Sequence, residues 1–598
     1  MSSSSWDRAD APASDPAPPA TRVDHRHILT VVMEDYFQGA TFNRLIPRGR
    51  WHRFESRLLR NTATTLDLLD EYKLKATFFA LGWVADAVPE LIREVAARGH
   101  EIASKGYFHR HIREFSRDEF REDCARARES LERASGRAVD GYRVAQRWLR
   151  PADLWALDVL AEEGYKFDSS IRPLFRQYAH EPWRRFVHQH HHGEHTILEV
   201  PISTAKVMGY DVPIAGANYF RQLPFSLVQR AVRQWDRTVE APFVMYFHVW
   251  EVDPDQPRID AAPFYARVRQ YRNLDRMTTM LRYYFEQYRF TSIGDRLNIE
   301  SRPSSKEVLL EAAGATGSAN AQTQAHGQLP VSIVSDDVLR TPISVVIPCF
   351  NEELILPYLS NTLAGVEADL SRGHLVHFIF VDDGSTDGTW TSLQSIFGGR
   401  ANCTVIRNDR NRGVAATIMT GIRASESEVV CSMDCDCTYD PHELGPMVAL
   451  LTPDVDMVTA SPYHADGKVL NVPEWRLFLS RTLSRMYAMV LRHQLATYTA
   501  CFRVYRRSVV ADVPLTRTGF IGVAELLGRL DLGGSHIVEY PTTLEVRILG
   551  RSKMKIVKTM AGHIQLIIEL IGMRLFHRHD AMGRGRRALA DATLSRTP

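Results

Sequence analysis

The chain has 598 residues, 44% hydrophobic and 24% charged, with a formal net charge of +2. That length holds two or more domains with ordinary cores, and the near-neutral balance excludes the broad basic footprint of a nucleic-acid binder. Seven cysteines without Cys-x-x-Cys spacing fit a reducing compartment; with no secretory leader and no run of about eighteen apolar residues, the expectation is a cytoplasmic chain, any membrane contact being peripheral at the inner face.

Residues 1–24, rich in Ser, Asp, Ala and Pro, read as a disordered leader. Over 25–300, β-branched runs alternate with amphipathic segments such as Thr64–Tyr72 and Glu90–Arg98, the pattern of an α/β domain. The Ala/Gly/Ser/Gln-rich stretch 301–340 reads as a flexible linker, 341–576 as a second α/β domain and 577–598 as a tail.

In the second domain the chain reads strand, loop, helix from Ile343 to Glu353. A second apolar run ends at Val381-Asp382-Asp383-Gly384, and a third, Glu428 to Met433, ends at Asp434-Cys435-Asp436. Carboxylates are thereby expected at the carboxyl end of a parallel sheet, where open α/β sheets bind ligands. An i, i+2 spacing in extended chain puts Asp434 and Asp436 on one face, able to grip a divalent cation that also takes diphosphate oxygens. Alone, either motif is an acidic turn; together they point to a nucleotide sugar. Downstream, Arg547-Ile548-Leu549-Gly550-Arg551-Ser552-Lys553 offers cations for phosphates, or else a solvated basic loop. A hydroxyl acceptor needs a general base, for which Glu525 is the candidate, whereas a lipid phosphate needs none. The apolar Ala561–Phe576 either lies at a membrane interface or packs in the core.

With Pro348-Cys349-Phe350-Asn351-Glu352 and Asn411-Arg412-Gly413 added, residues 342–570 resemble the family 2 inverting glycosyltransferases of GT-A fold, within them the dolichyl/polyprenyl-phosphate mannose synthases. The resemblance implies a nucleotide-sugar pocket lined by Pro348, Phe350 and Glu352, with Asp383 as the strand-end acid and Val381 beside it. It implies that Asp434, Cys435 and Asp436 form the Mg2+ or Mn2+ and diphosphate site, with Asp436 catalytic, and that Arg547 and Lys553 hold phosphates. The acceptor is expected to be a polyprenyl phosphate or a glycan. Thr459-Ala460-Ser461-Pro462-Tyr463 departs from the family's Thr-Gly-Ser-Arg, which leaves base and sugar open.

The runs Leu29–Phe37, Ala76–Gly82, Gly99–Ser104, Gly141-Tyr142-Arg143 and Tyr246–Glu251 resemble the polysaccharide deacetylase (carbohydrate esterase, NodB-homology) family. The resemblance implies a distorted (β/α) barrel and a metal site built from one acid and two histidines, with an Asp base and a distal His acid, mapping to Glu34, Asp35, Lys105, His109, Arg143 and His248. The motifs depart from the family: Val32 stands at the base position, Lys105 where a ligand histidine is usual, and Ala145-Gln146 where Arg-x-Pro would continue. A protonated ammonium is no metal ligand, so this half is expected to lack metal and deacetylase activity. The alternatives are a bifunctional enzyme that transfers an N-acetylhexosamine and deacetylates it, and a carbohydrate-binding or scaffolding N-terminal module.

Overall fold

The computed structural model describes residues 26–39, 41–300, 340–550 and 559–575. The chain divides into two compact units. One takes the chain up to Met33, Ala63–His248 and the residues from Arg276; the other takes Glu34–Thr62, Val249–Asp275 and the C-terminal half. The division therefore runs through the range 25–300 that reads as one domain in sequence.

The first unit is α/β, built on β1 (His27–Val32), β2 (Thr77–Ala80), β3 (Glu101–Ser104), β4 (Gly141–Tyr142), β5 (Phe167–Asp168), β6 (His188–His192), β7 (His195–Glu199), the ribbon β8 (Thr204–Val207) and β9 (Tyr210–Pro213), β10 (Val244–His248) and β11 (Phe290–Thr291). The main sheet runs β10-β1-β2-β3-β4-β5-β7-β6, with β11 also beside β1. All its ladders are parallel except the β6/β7 hairpin. No ladder among the described residues joins β6 to β10, so the expected (β/α) barrel is a distorted one. Parallel strands buried on both faces read as continuous apolar runs, which is why Ile28, Leu29, Val31 and Val32 are all buried. Helix Arg117–Ser135 shows how local sequence sets such an element. Ser116 Oγ accepts from the Glu119 amide at 3.2 Å while the Glu119 carboxylate accepts from the Ser116 amide at 2.8 Å, and left-handed Gly136 ends the helix.

The second unit contains β12 (Thr341–Cys349), β13 (His374–Asp382), β14 (Cys403–Arg407), β15 (Val429–Ser432), β16 (Met457–Ser461), β17 (Lys468–Leu470), β18 (Arg503–Arg506), β19 (Ile537–Pro541) and β20 (Thr543–Glu545). Seven of these form one sheet in the order β14-β13-β12-β15-β18-β16-β19. Strands β14, β13, β12 and β15 are mutually parallel, and β18 is antiparallel to both its neighbours. The chain moves outward from β12 to β14 and then returns past β12 to β15, so the order reverses beside β12. A crevice outside the carboxyl ends of the strands at such a reversal is where open sheets take ligands.

Alternation along β12 and β13 sends Ile343, Val345, Ile347, Phe378 and Phe380 to one apolar cluster and Val346, Ile379 and Val381 to the other. The first cluster also holds Tyr36, Phe37, Phe42, Ile46, Trp51, Phe54, Trp250, Ile259 and Leu274. Segments that precede the second domain's first strand by about 70 to 300 residues thus share its core. Polar links follow the same path: Arg53 pairs with Asp440 at 3.2 Å, Arg50 with Glu545, and the rings of Phe54 and Tyr358 lie 5.0 Å apart.

Candidate active site

The loops that leave β12, β13 and β14 are tied to one another before any ligand is considered. After β12, the Asn351 amide donates to Ser385 Oγ at 2.9 Å and the Glu352 amide to Thr389 Oγ1 at 2.7 Å, while Asn351 Oδ1 accepts from the Thr386 amide at 2.8 Å. After β13, Asp383 accepts from Asn408 Nδ2, the Arg412 amide and the Gly413 amide, each at 2.8 Å. Gly413 has φ +91° and a Cβ there would lie 2.7 Å from the Thr518 carbonyl oxygen, so only glycine permits this approach.

These loops open on a cavity of about 940 Å³. Its wall includes Pro348, Phe350, Glu352, Asp383, Asp434, Cys435, Asp436 and Arg547, eight residues that the sequence motifs nominate. Val381 is fully buried in the apolar core and is not among the lining residues; it lies within β13, whereas Asp383 follows the strand's last residue and reaches the cavity. Lys553 lies outside the described residues.

Asp434 and Asp436 follow β15 in a turn, not in the extended chain expected from their spacing. The Cys437 amide reaches the Asp434 carbonyl at 3.3 Å and Cys437 has φ +52°. Burial, then the neighbouring Asp436, push the Asp434 carboxyl up to about 7. A buried carboxylate pair of this kind is relieved by a cation. Arg547 supplies one: it bonds Glu352 and approaches Asp436 Oδ2 at 3.7 Å. Burial opposes its charge, but Glu352 and Asp436 outweigh that and hold its pKa above the ordinary value. Its Nε donates to the Leu549 carbonyl at 2.8 Å, which fixes the side chain over its own loop. Among the described residues no three His, Cys, Asp and Glu side chains converge to hold a metal by themselves. Asp434 and Asp436 fit a divalent cation whose remaining ligands are diphosphate oxygens.

Glu525 is placed differently. It lies within helix Phe520–Gly533, does not line the cavity, and accepts from the Thr516 amide and hydroxyl, the Arg517 amide and Arg529. Burial raises its pKa, but those donors outweigh burial and the net shift is downward. These bonds organise the turn at 516–517. Cavity residues absent from the sequence reading include Trp475, Arg476, Phe520 and His563, and Asp260, Ala261 and Arg267. The last three sit inside the half that resembles another fold, where no local motif marks them.

In the first unit, buried Lys105 donates to the Ala145 carbonyl at 2.6 Å and lies 3.3 Å from His109 Nε2, while Gln146 Nε2 donates to the His109 carbonyl at 2.7 Å. Arg143 is fully occupied in the core: it donates to the Ser169 carbonyl, Ser169 Oγ and Thr30 Oγ1, and burial lowers its pKa to about 10. His248 ends β10 in register with Val32. Within the second unit, Glu34 and Asp35 are buried, and Asp35 accepts from Ser56 Oγ at 2.6 Å and the Arg57 amide at 3.0 Å. Burial nonetheless raises its pKa to about 6.

Three family models match the chain: Polysaccharide deacetylase over residues 53–154, Domain of unknown function (DUF3473) over 169–298, and Glycosyl transferase family 2 over 344–513. The polyprenol monophosphomannose synthase of Mycolicibacterium smegmatis is 30% identical over 222 residues, 35% of this chain and 80% of that protein. The dolichol-phosphate mannosyltransferase of Pyrococcus furiosus is 27% identical over 235 residues, 38% of this chain and 63% of that protein. The dodecaprenyl-phosphate galacturonate synthase of Rhizobium johnstonii is 26% identical over 256 residues, 42% of this chain and 72% of that protein. With the GT-A elements and the strand-end carboxylates in place, the chain belongs to glycosyl transferase family 2. It is an enzyme of that family carrying a polysaccharide deacetylase domain on its N-terminal side.

Proposed function

We propose that the chain transfers a sugar from a nucleotide-sugar donor to a polyprenyl phosphate, with inversion and with a divalent cation, and that its deacetylase-like half does not deacetylate. The observation that carries this reading is the meeting of Asp434, Asp436, Glu352 and Arg547 in one cavity at the carboxyl ends of β12, β13 and β15. Asp434 and Asp436 would hold Mg2+ or Mn2+, which supplies charge stabilisation to the departing nucleoside diphosphate. Arg547 presents a guanidinium fork toward the same charge, and Glu352 orients it. The acceptor phosphate oxygen forms the new bond to the anomeric carbon as the bond to the diphosphate oxygen breaks.

A phosphate acceptor is anionic before it reacts and needs no base. The engagement of Glu525 away from the cavity supports that acceptor over a glycan hydroxyl. The relatives are named for lipid-phosphate acceptors and for different sugars, so the acceptor class carries over while the sugar does not. Such an acceptor supports action at the inner face of a membrane; among the described residues no helix is long and apolar enough to cross one. In the deacetylase-like half, the ammonium of Lys105 beside His109 Nε2 supports loss of the metal site.

The test has two arms on the full chain. Several nucleotide sugars are offered with polyprenyl phosphate and, separately, with oligosaccharide acceptors; lipid-linked product is expected in the first arrangement only. Acetate release from N-acetylglucosamine oligosaccharides is then followed with added metals. Metal-dependent release that His109→Ala removes would instead establish the bifunctional enzyme.

A further inference from the structure

Three residues of the transferase cavity wall, Asp260, Ala261 and Arg267, come from a stretch that no transferase motif covers and that falls within the match to the domain of unknown function. We infer that Arg267 binds a phosphate of a transferase substrate, so that residues 249–275 complete the cavity; this rests on the transfer reading above.

The stretch is fixed against the loop that carries Arg547. Ile259 pairs with Leu549 in an antiparallel bridge, and the Ala261 amide donates to the Ile548 carbonyl at 3.4 Å. The Ile259 amide also donates to Tyr271 Oη at 2.8 Å, locking the loop to helix Phe264–Tyr271 on which Arg267 stands. Ile259, Ala262 and Ala266 are buried in one apolar cluster with Ile548 and Leu549. The guanidinium is therefore delivered to the cavity by packed backbone and not by a loose loop.

Its donors are underused. Asp260 lies 3.6 Å away, an ion-pair contact too long for a good hydrogen bond. Arg267 Nε is enclosed, and among the described residues it has no hydrogen-bond partner. The Arg267 side chain lines the cavity and is 34% exposed, so its terminal nitrogens are open to a ligand, and a guanidinium fork matches phosphate oxygens in geometry and charge. Arg547, oriented by Glu352 and Asp436, serves the departing diphosphate. The reaction brings two anionic groups into the cavity, the donor diphosphate and the acceptor phosphate, and Arg267 is placed to take one of them.

The experiment uses the full chain with Arg267→Ala, Arg267→Lys and Asp436→Ala. Binding of UDP and GDP with Mn2+ is measured by calorimetry, and KM for polyprenyl phosphate by steady-state transfer from whichever nucleotide sugar proves active. A charge-assisted bond predicts a loss of about ten- to hundredfold for Arg267→Ala, partly restored by lysine. Weakened nucleotide binding assigns the donor diphosphate, and raised acceptor KM with unchanged nucleotide binding assigns the acceptor phosphate. Wild-type values for both in Arg267→Ala overturn the inference, as does a loss that lysine leaves at the alanine level. If the unmodified chain neither binds nucleotide nor transfers sugar, the transfer reading fails and the inference with it. Effects confined to Asp436→Ala leave that reading standing and remove only Arg267.

Discussion

Asp434 and Asp436 show how a two-residue spacing becomes a site. Their proximity in a turn raises the Asp434 pKa to about 7, with burial the larger cause, which is a standing cost of the unliganded protein. Asp436→Ala relieves the like-charge repulsion while leaving Arg547 its contact with Glu352. The variant is therefore expected to unfold at or slightly above the wild-type temperature, yet to lose about a hundredfold or more in transfer rate, the scale of one removed charge-stabilising group. Thermal melts and a transfer assay check both halves, and a folded variant with near-normal turnover would remove Asp436 from the chemistry. At this scale the sequence was informative for Pro348, Phe350, Glu352, Asp383, Asp434, Cys435, Asp436 and Arg547, which motif spacing brings to one cavity wall. Val381 lies in the apolar core and Glu525 away from the cavity wall, because a motif names neighbours in sequence while position within the strand and helix phase decide which side chains reach a cavity.

Two elements carry predictions of their own. The loop at Gly550 has φ +74°, and a Cβ there would lie 3.1 Å from Arg547 Nη2. Gly550→Ala should cost about 1–2 kcal/mol of stability through its left-handed backbone and displace Arg547, raising the donor KM; unchanged kinetics would show that this loop does not set the guanidinium. The helix at 559–575 packs one set of its apolar side chains into the core and leaves another set exposed. Leu566, Ile567 and Leu570 are buried, whereas Ile564, Ile568, Ile571 and Leu575 are exposed. His563 packs inward with its Nδ1 2.8 Å from Tyr487 Oη, and burial lowers its pKa to about 4. Between that value and the unfolded value of about 6.5 the unfolded chain binds the extra proton. The contribution of His563 is thus complete above pH 6.5 and lost as pH falls toward 4. Denaturant titrations should show wild type losing up to about 1.4 kcal/mol per pH unit more than His563→Gln across that window, and parallel slopes would contradict the burial.

At the level of the whole molecule, the two halves legible in the sequence differ from the two compact units in space. Composition marks the stretch at 301–340, and the motifs mark an α/β domain on either side. They do not reveal that Glu34–Thr62 and Val249–Asp275 pack with the C-terminal half, because long-range burial leaves no local signature. Phe37, Phe42, Ile46, Trp51, Phe54, Trp250, Ile259 and Leu274 belong to the transferase core. At about 1.5–3 kcal/mol for each buried side chain, their removal costs as much as or more than the roughly 5–15 kcal/mol that stabilises an ordinary domain. A chain started at residue 340 is accordingly expected to aggregate or unfold with little transfer activity, and a stable, fully active fragment would show the two segments to be dispensable. The most direct measurement is formation of lipid-linked sugar from nucleotide sugar and polyprenyl phosphate by the full chain, with chelator added and then Mn2+ or Mg2+ restored. Product that stops with chelator, returns with the cation and is absent in Asp436→Ala is expected; undiminished product under chelation, or no product with any donor, would contradict a metal-dependent transfer at this cavity.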